Sequence, residues 1–307
     1  MMSSLPLVRW RLAQVAAHLV VALIALVVIG GATRVMEAGL ACPDWPLCYG
    51  SLLPGSQMNV QVFLEWFHRL DAFVVGVALI AQLVAVLLWR SELPNWLPWF
   101  CAGLVFLVLV QGGLGALTVL QLLPSGVVTA HLALALMLVA AVSGLSQRLL
   151  SSSDMASPLW WRLMGGASLL AVLAQCLLGG RMATAWAAQL CLNGGQACQW
   201  LQWHRISATP VAICLLLFVC TAFAVGGWPR SQWPFLISVL GLVATQISLG
   251  FLTLHLGLSQ PAVTVCHQLV ATLLVALLAA LTFRSPEEST LSLSAVGESS
   301  SMEPSHG

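Results

Sequence analysis

The scarcity of charge constrains the fold of this chain more than any other feature. Of its 307 residues, 60% are hydrophobic and only 7% are charged, whereas soluble proteins carry roughly 25% charged residues. One soluble core cannot shield so much apolar surface, so the sequence predicts an integral membrane protein. The net charge is +1, there is no Lys and there is no basic run. This composition excludes a nucleic-acid-binding surface, which needs clustered basic residues.

Eight apolar windows are each long enough to cross a bilayer, which takes about 20 mostly apolar residues. The windows lie at 12–32, 66–89, 97–119, 125–147, 160–180, 204–226, 234–255 and 261–283. Trp residues collect at their ends, as expected for rings that favour the membrane interface. We therefore predict an all-α protein with eight transmembrane helices. The first is expected to be retained and not cleaved as a signal peptide, because its apolar run is longer than the core of a typical signal.

The distribution of Arg predicts the orientation in the membrane. If the chain begins in the cytoplasm, the loops on that side hold most of its Arg residues, namely Arg9, Arg11, Arg90, Arg148, Arg162, Arg230 and Arg284. Since loops that remain in the cytoplasm carry an excess of basic residues, both termini are predicted to be cytoplasmic.

The sequence contains an internal repeat. The segment EWFHR at 65–69 resembles LQWHR at 201–205, at an offset of 136, and His131 recurs as His267 at the same offset. Self-similarity of this kind indicates a duplicated structural unit.

The repeat divides the chain into an N-terminal half, 1–150, and a C-terminal half, 151–285. The remaining segment, 286–307, is rich in Ser and Glu and is predicted to be a disordered tail. Because each half has an even number of spans, both halves share one orientation. We therefore predict two parallel-repeat four-helix bundles, related by an axis along the membrane normal. Such bundles hold cofactors between facing helices.

Two histidines in each half are candidate metal ligands. His68 and His131 open the second and fourth spans at similar depth, and His204 and His267 repeat this arrangement. Two facing imidazoles are a natural axial pair for haem iron. A single histidine at a span end is as readily an interfacial side chain, but ionisable groups in membranes are costly and tend to be functional. The repetition therefore favours two bis-histidine haem sites.

The neighbours of these histidines also carry information. Arg69 and Arg205 either hold haem propionates or contact lipid head groups. Glu65 shares a helical face with His68, and its repeat counterpart is Leu201. This unmatched carboxylate equips the first site for proton or charge chemistry. It could also form an ion pair with Arg69, and the two roles are compatible.

Polar and small residues inside the spans repeat as well. Gln111 and Gln246 match, and so do Gly115 and Gly250. The glutamines either hydrogen-bond across helices or face a cofactor cavity. The glycines allow close helix approach or make room for a flat ring.

Two cysteine pairs lie in matching external loops, Cys42 with Cys48 and Cys191 with Cys198. Paired cysteines on an oxidising face are typical of disulfides, and each bond would stiffen a lid over the site below. A labile, redox-active bond is the alternative, and the sequence leaves both roles open.

Three segments together resemble the haem A synthase family: GGATR at 30–34, GLACPDWPLC at 39–48 and EWFHR at 65–69. The resemblance extends over 12–283 and all eight predicted spans. The second cysteine loop departs from the first, since it has one more intervening residue and lacks the PDWP sequence.

This resemblance implies oxidation of the methyl group at porphyrin ring position 8 of haem O, through hydroxylated intermediates, to the formyl group of haem A. It implies a substrate site formed by His68, His131 and Glu65, with Glu65 in acid–base or charge stabilisation. It further implies a haem b held by His204 and His267. Expected partners are haem O and membrane lipid, in a bacterial inner membrane, with a haem O synthase as a further candidate partner. The electron-transfer partner is left open.

Two other functions compete with this one. A non-enzymatic dihaem electron-transfer protein would need the four histidines but not Glu65 in one half only. A haem or small-molecule transporter is disfavoured because transporter sites usually lie near the midplane, whereas these histidines lie near one face. We therefore expect a membrane oxidoreductase.

Overall fold

The computed structural model describes residues 7–151, 156–184, 191 and 198–286. Eight helices in this part are long and apolar enough to cross a membrane. They are α1 (Leu7–Val35), α2 (Val60–Leu88), α3 (Leu97–Leu120), α4 (Ser125–Leu150), α5 (Leu159–Thr184), α6 (Gln199–Val225), α7 (Trp233–His255) and α8 (Pro261–Phe283). The described residues form no β-strand. The prediction of an all-α, multi-pass membrane protein is confirmed.

Some helices begin earlier than the apolar windows predicted. α2 begins at Val60 and α6 at Gln199, six and five residues before the windows at 66 and 204. In α2 the side chain of Asn59 accepts a hydrogen bond from Val62 N and caps the helix. The predicted boundaries are wrong here because polar residues in the first turns lower the hydropathy without ending the helix.

The helices pack in the same order in both halves. In the first half α1 and α3 each contact α2 and α4, and in the second half α5 and α7 each contact α6 and α8. Between the halves α4 packs against α8, flanked by contacts of α1 with α8 and of α4 with α5. The symmetry axis between the two halves stays a prediction. The arrangement of the helices into two bundles also stays a prediction, which these helix contacts support.

The ends of α5 and α8 that lie far from the predicted histidines are joined by buried side chains. Trp161 is fully buried and donates from Nε1 to the carbonyl of Leu281 at 2.7 Å. Its ring packs against Phe218, with 4.9 Å between the centroids. Ser143 donates to the carbonyl of Ala276 at 2.7 Å and joins α4 to α8. Because lipid gives apolar helices little reason to associate, such close contacts and hydrogen bonds hold the helices together.

Candidate functional site

The structure brings the predicted histidines together in pairs, each within the first three turns of its helix. The rings of His204 and His267 have centroids 6.5 Å apart and planes at 75°. His68 and His131 lie close enough to interact electrostatically. Each pair joins the second and fourth helices of its own half, as the repeat predicts.

A glycine on the first helix of each half lies against one imidazole. A Cβ added at Gly30 would lie 2.9 Å from Cε1 of His68, and one added at Gly179 would lie 3.0 Å from Cε1 of His204. These distances are shorter than ordinary van der Waals contact, so a larger side chain would displace the ring.

A glycine on the third helix of each half lies against the second imidazole of that half. A Cβ at Gly115 would lie 3.3 Å from Cε1 of His131, and a Cβ at Gly250 would lie 3.3 Å from Cε1 of His267. The repeated glycines therefore make room for the imidazoles. At all four positions a flat imidazole ring lies close to the helix backbone.

The repeated glutamines face the same two rings. Nε2 of Gln111 lies 3.4 Å from Nε2 of His131 and donates to the backbone carbonyl of that residue at 3.1 Å. Nε2 of Gln246 lies 3.2 Å from Nε2 of His267. Both glutamines thus hydrogen-bond across helices, from the third helix of each half to the fourth.

A third glutamine, which the sequence analysis missed, faces His204. Nε2 of Gln175 lies 3.1 Å from Nδ1 of this ring and donates to its backbone carbonyl at 2.7 Å. The hydroxyl of Ser207 in turn donates to Oε1 of Gln175 at 2.5 Å. The available signal was an amide in an apolar span. A search for matched residues passed over it because Leu26 stands 149 residues earlier, at the offset that relates Gly30-Gly31 to Gly179-Gly180.

The loop between α1 and α2 contains a ring that is closed by a disulfide bond. Cys42 and Cys48 are disulfide-bonded and buried, as predicted. The carboxylate of Asp44 accepts hydrogen bonds from the backbone N–H groups of Tyr49 and Gly50 at 2.6 and 2.7 Å. The bond from Gly50, which has a φ of +68°, holds the pKa of the Asp44 carboxyl below its usual value. Asp44 is therefore ionised at neutral pH and keeps the turn closed.

Glu65 and Arg69 of α2 hold the disulfide-closed loop against this helix through hydrogen bonds. Glu65 is 4% exposed, and its carboxylate accepts from Cys42 N at 2.8 Å and from the Arg69 guanidinium at 2.5 Å. Arg69 also donates to the carbonyls of Asp44 and Leu47. The ion pair that the sequence left open is therefore present. The guanidinium predicted to bind a propionate is engaged with the loop.

The second half differs at the corresponding positions. Cys191 and Cys198 are disulfide-bonded, as predicted, while 192–197 lie outside the described residues. Arg205 is exposed, and Leu201 stands where the first half has its carboxylate. Within the described part of the chain, Arg205 accordingly has no ion-pair partner.

A second unmatched carboxylate lies in α2, and the sequence analysis missed it. Glu65 and Asp71 are the two acidic residues of the eight helices, and the repeat counterpart of Asp71 is Ser207, again at an offset of 136. Oδ2 of Asp71 is buried and has no hydrogen-bond partner among the described residues. The view of Glu65 as the one unmatched carboxylate is therefore wrong. The presence of Asp71 inside the predicted span 66–89 was a signal for a functional residue, since ionisable groups in membrane spans are costly and tend to be functional.

The donor set fits a haem better than a bare metal ion. No group of three His, Cys, Asp or Glu in the described residues is placed to hold an ion. Haem iron needs only axial protein ligands, because the porphyrin supplies the rest. Metal–imidazole bonds of about 2 Å each would place the two ring centroids roughly 6 Å apart. The 6.5 Å between His204 and His267 agrees with this.

Gly179→Ala tests whether the space beside His204 serves ligand binding. The added methyl group would push against Cε1 of His204, and overpacking of this kind costs about 1–3 kcal/mol. We expect the bound haem per protein to fall several-fold, measured by absorbance of the purified protein. The control is Gly241→Ala on α7, where a Cβ meets nothing within 4 Å. Equal haem content in the two variants would contradict the expectation.

Comparisons with known proteins agree with the resemblance. The chain is 35% identical over 123 residues to a haem A synthase of Shewanella oneidensis, covering 35% of this chain and 36% of that protein. It is 32% identical over 191 residues to a haem A synthase of Bradyrhizobium diazoefficiens, covering 49% and 50%. A match of 59 residues at 39% identity to a protoheme IX farnesyltransferase of Haloarcula marismortui covers 19% of this chain and 12% of that protein.

The matched segments thus span half or less of the curated relatives. The family model is far more extensive. It is described as cytochrome oxidase assembly protein, COX15-CtaA, and matches residues 13–279. Since this match runs from α1 into α8, the chain belongs to the cytochrome oxidase assembly protein family, as its resemblance to haem A synthases predicted.

Proposed function

We propose that this protein is a haem A synthase. It oxidises the methyl group at porphyrin ring position 8 of haem O, through hydroxylated intermediates, to the formyl group of haem A. The observation that carries the proposal is the asymmetry between two otherwise matched histidine pairs in a chain of this family. Both pairs have the same glycines and a facing glutamine, but only the first half has carboxylates within its membrane-spanning helices.

The first half holds the substrate. His68 and His131 would hold the iron of haem O, and Glu65 supplies a buried negative charge three residues from His68. With water as the oxygen source, conversion of a methyl group to a formyl group releases four protons and four electrons, so a fixed carboxylate near the site has a chemical use. The Glu65 carboxylate is held by Cys42 N and by Arg69. It therefore also fixes the position of the loop over this half.

His204 and His267 would hold a haem b in the second half, and this group would supply one-electron redox chemistry when bound. The amides of Gln175 and Gln246 face these rings, and no acidic residue lies in helices α5–α8. A pair with neutral neighbours suits electron transfer, which requires no proton acceptor. This difference separates the proposal from a dihaem protein that only transfers electrons, in which neither half would need carboxylates.

Arginines would hold the propionates of the haems. Arg205 is the better candidate, because it is exposed and has no ion-pair partner among the described residues. Arg69 can contribute only from its position under the loop, where carbonyls and Glu65 already accept its hydrogen bonds.

The Arg distribution and one comparison support the membrane setting and a partner. The Arg distribution favours cytoplasmic termini in a bacterial inner membrane. The short match to a protoheme IX farnesyltransferase supports a haem O synthase as a partner that delivers the substrate.

Haem extraction from membranes tests the proposed function. Membranes that contain this protein and a haem O source are expected to accumulate haem A, measured by solvent extraction and chromatography. Membranes without this protein are the control. Folded protein under aerobic conditions that yields only haem O and haem B would overturn the assignment.

A further inference from the structure

The second glycine of each Gly-Gly pair lies against the opposite half of the protein. A Cβ added at Gly31 of α1 would overlap the side-chain oxygen of Gln268 on α8 and would lie 2.5 Å from its Cδ. Only a glycine therefore leaves room for this amide on the backbone of α1. The amide uses the space, since its Nε2 donates to the carbonyl of Val27 at 2.9 Å. A hydrogen bond thus joins α1 of the first half to α8 of the second.

A matching contact joins the other first helix to the other fourth helix. A Cβ added at Gly180 of α5 would lie 2.6 Å from Cδ2 of Leu132 on α4. Gly31 and Gly180 are 149 residues apart, and Leu132 and Gln268 are 136 apart, which are the offsets of the repeat. The two contacts therefore use equivalent positions, but the α1–α8 contact has an amide where the α4–α5 contact has an apolar side chain.

The α1–α8 contact lies beside a histidine of each half. Gln268 directly follows His267 in the chain. Gly31 directly follows Gly30, which lies against the ring of His68. One turn of α1 therefore meets a first-half imidazole on one side and the neighbour of a second-half imidazole on another.

Adjacent backbone groups of this turn bind side chains from both halves. The backbone of Leu26 is the hydrogen-bonding neighbour of the His68 imidazole, while the carbonyl of Val27 accepts from Gln268. Closely packed interiors have low compressibility and transmit displacements. A shift of the Gln268 amide would therefore move the turn of α1 that positions His68.

We infer that Gln268 is a positioning residue that couples the two histidine sites. Its amide fixes the turn of α1 beside His68 relative to the turn of α8 that carries His267. The inference rests on the proposed function in one respect, namely that each histidine pair binds a haem. Outer groups that orient the ligands of a metal also tune its properties. A change at Gly31 in the first half should therefore reach the haem of the second half, and coupling of this kind is reciprocal.

Gly31→Ala tests the coupling through the haem of the opposite half. A His131→Ala background leaves the second-half haem as the one to be measured, in purified full-length protein. The added methyl group displaces the Gln268 amide. We expect altered g-values in the electron paramagnetic resonance spectrum and a shifted midpoint potential of this haem. Gln268→Ala removes the amide that the methyl group meets, so Gly31→Ala should have no further effect once Gln268→Ala is present.

Gly103→Ala on α3 is the matched control. A Cβ at this position meets nothing within 4 Å, so the second-half haem should be unchanged. Gln268→Leu serves if Gly31→Ala does not fold, because it introduces the residue of the matching α4–α5 contact. In a His204→Ala background this variant should alter the spectrum of the first-half haem.

The outcomes separate the inference from the proposed function. An unchanged second-half spectrum in a folded, haem-loaded Gly31→Ala variant would overturn the inference and leave the proposed function standing. A change that persists in full after Gln268→Ala would do the same, and so would an unchanged first-half spectrum in Gln268→Leu. Loss of all bound haem in the folded His131→Ala background would instead overturn the assignment of separate haems to the two pairs.

Discussion

His267→Ala is expected to remove the haem b spectrum of the purified protein. The imidazole lies 6.5 Å from that of His204 between ring centroids, and the methyl group of Ala could not serve as the axial ligand that we propose His267 to be. We expect at least a tenfold loss of low-spin haem at this site, measured by absorbance and electron paramagnetic resonance. His204→Ala should have the same effect, since both ligands are required for the low-spin state.

His255→Ala is the matched control for these variants. His255 lies at the end of α7, is exposed and has no counterpart in the repeat, so its loss should leave the spectrum unchanged. A low-spin signal that persists in both ligand variants, and disappears in His68→Ala, would show that the roles of the halves are reversed.

Glu65→Ala is expected to retain haem b and to lose conversion of haem O to haem A. The substitution removes a buried charge and releases both Cys42 N and the Arg69 guanidinium. Groups that take part in proton transfer contribute about 100-fold or more to the rate, so we expect a loss of that order. The ratio of haem A to haem O after extraction measures it.

Glu65→Gln distinguishes the role of the negative charge from the role of the side chain in holding the loop. The amide oxygen can still accept from Cys42 N, while the negative charge is lost. We expect low conversion in this variant too. Full conversion would return Glu65 to a structural role. Leu201→Ala, at the matching position of the second half, is the control and should convert haem O normally.

Much of the fold could be predicted from the sequence, because the relevant signals are local or periodic. Apolar length gave the eight spans, and the offset of 136 gave the matched histidines. The helix ends were less predictable. Hydropathy measures transfer to lipid, whereas the first turns of α2 are capped by Asn59 and hydrogen-bonded to the preceding loop through Glu65.

The candidate site was predictable where both halves carry the same residue. His68, His131 and their counterparts were found in this way, and so were Gln111 and Gln246. Gln175 and Asp71 were missed because the other half has Leu26 and Ser207 at those positions. A search for matches overlooks the differences that distinguish two sites.

The sequence by itself determined that this chain spans a membrane eight times, that it carries an internal repeat and that two histidine pairs recur within it. Only the tertiary structure decided which partner each polar side chain meets. It assigned Arg69 to the loop carbonyls, Gln175 to His204 and the carboxylate of Glu65 to Cys42 N. The physical reason is that burial follows from the pattern of residues along one helix. A hydrogen bond between elements depends instead on the positions of both helices or of a helix and a loop.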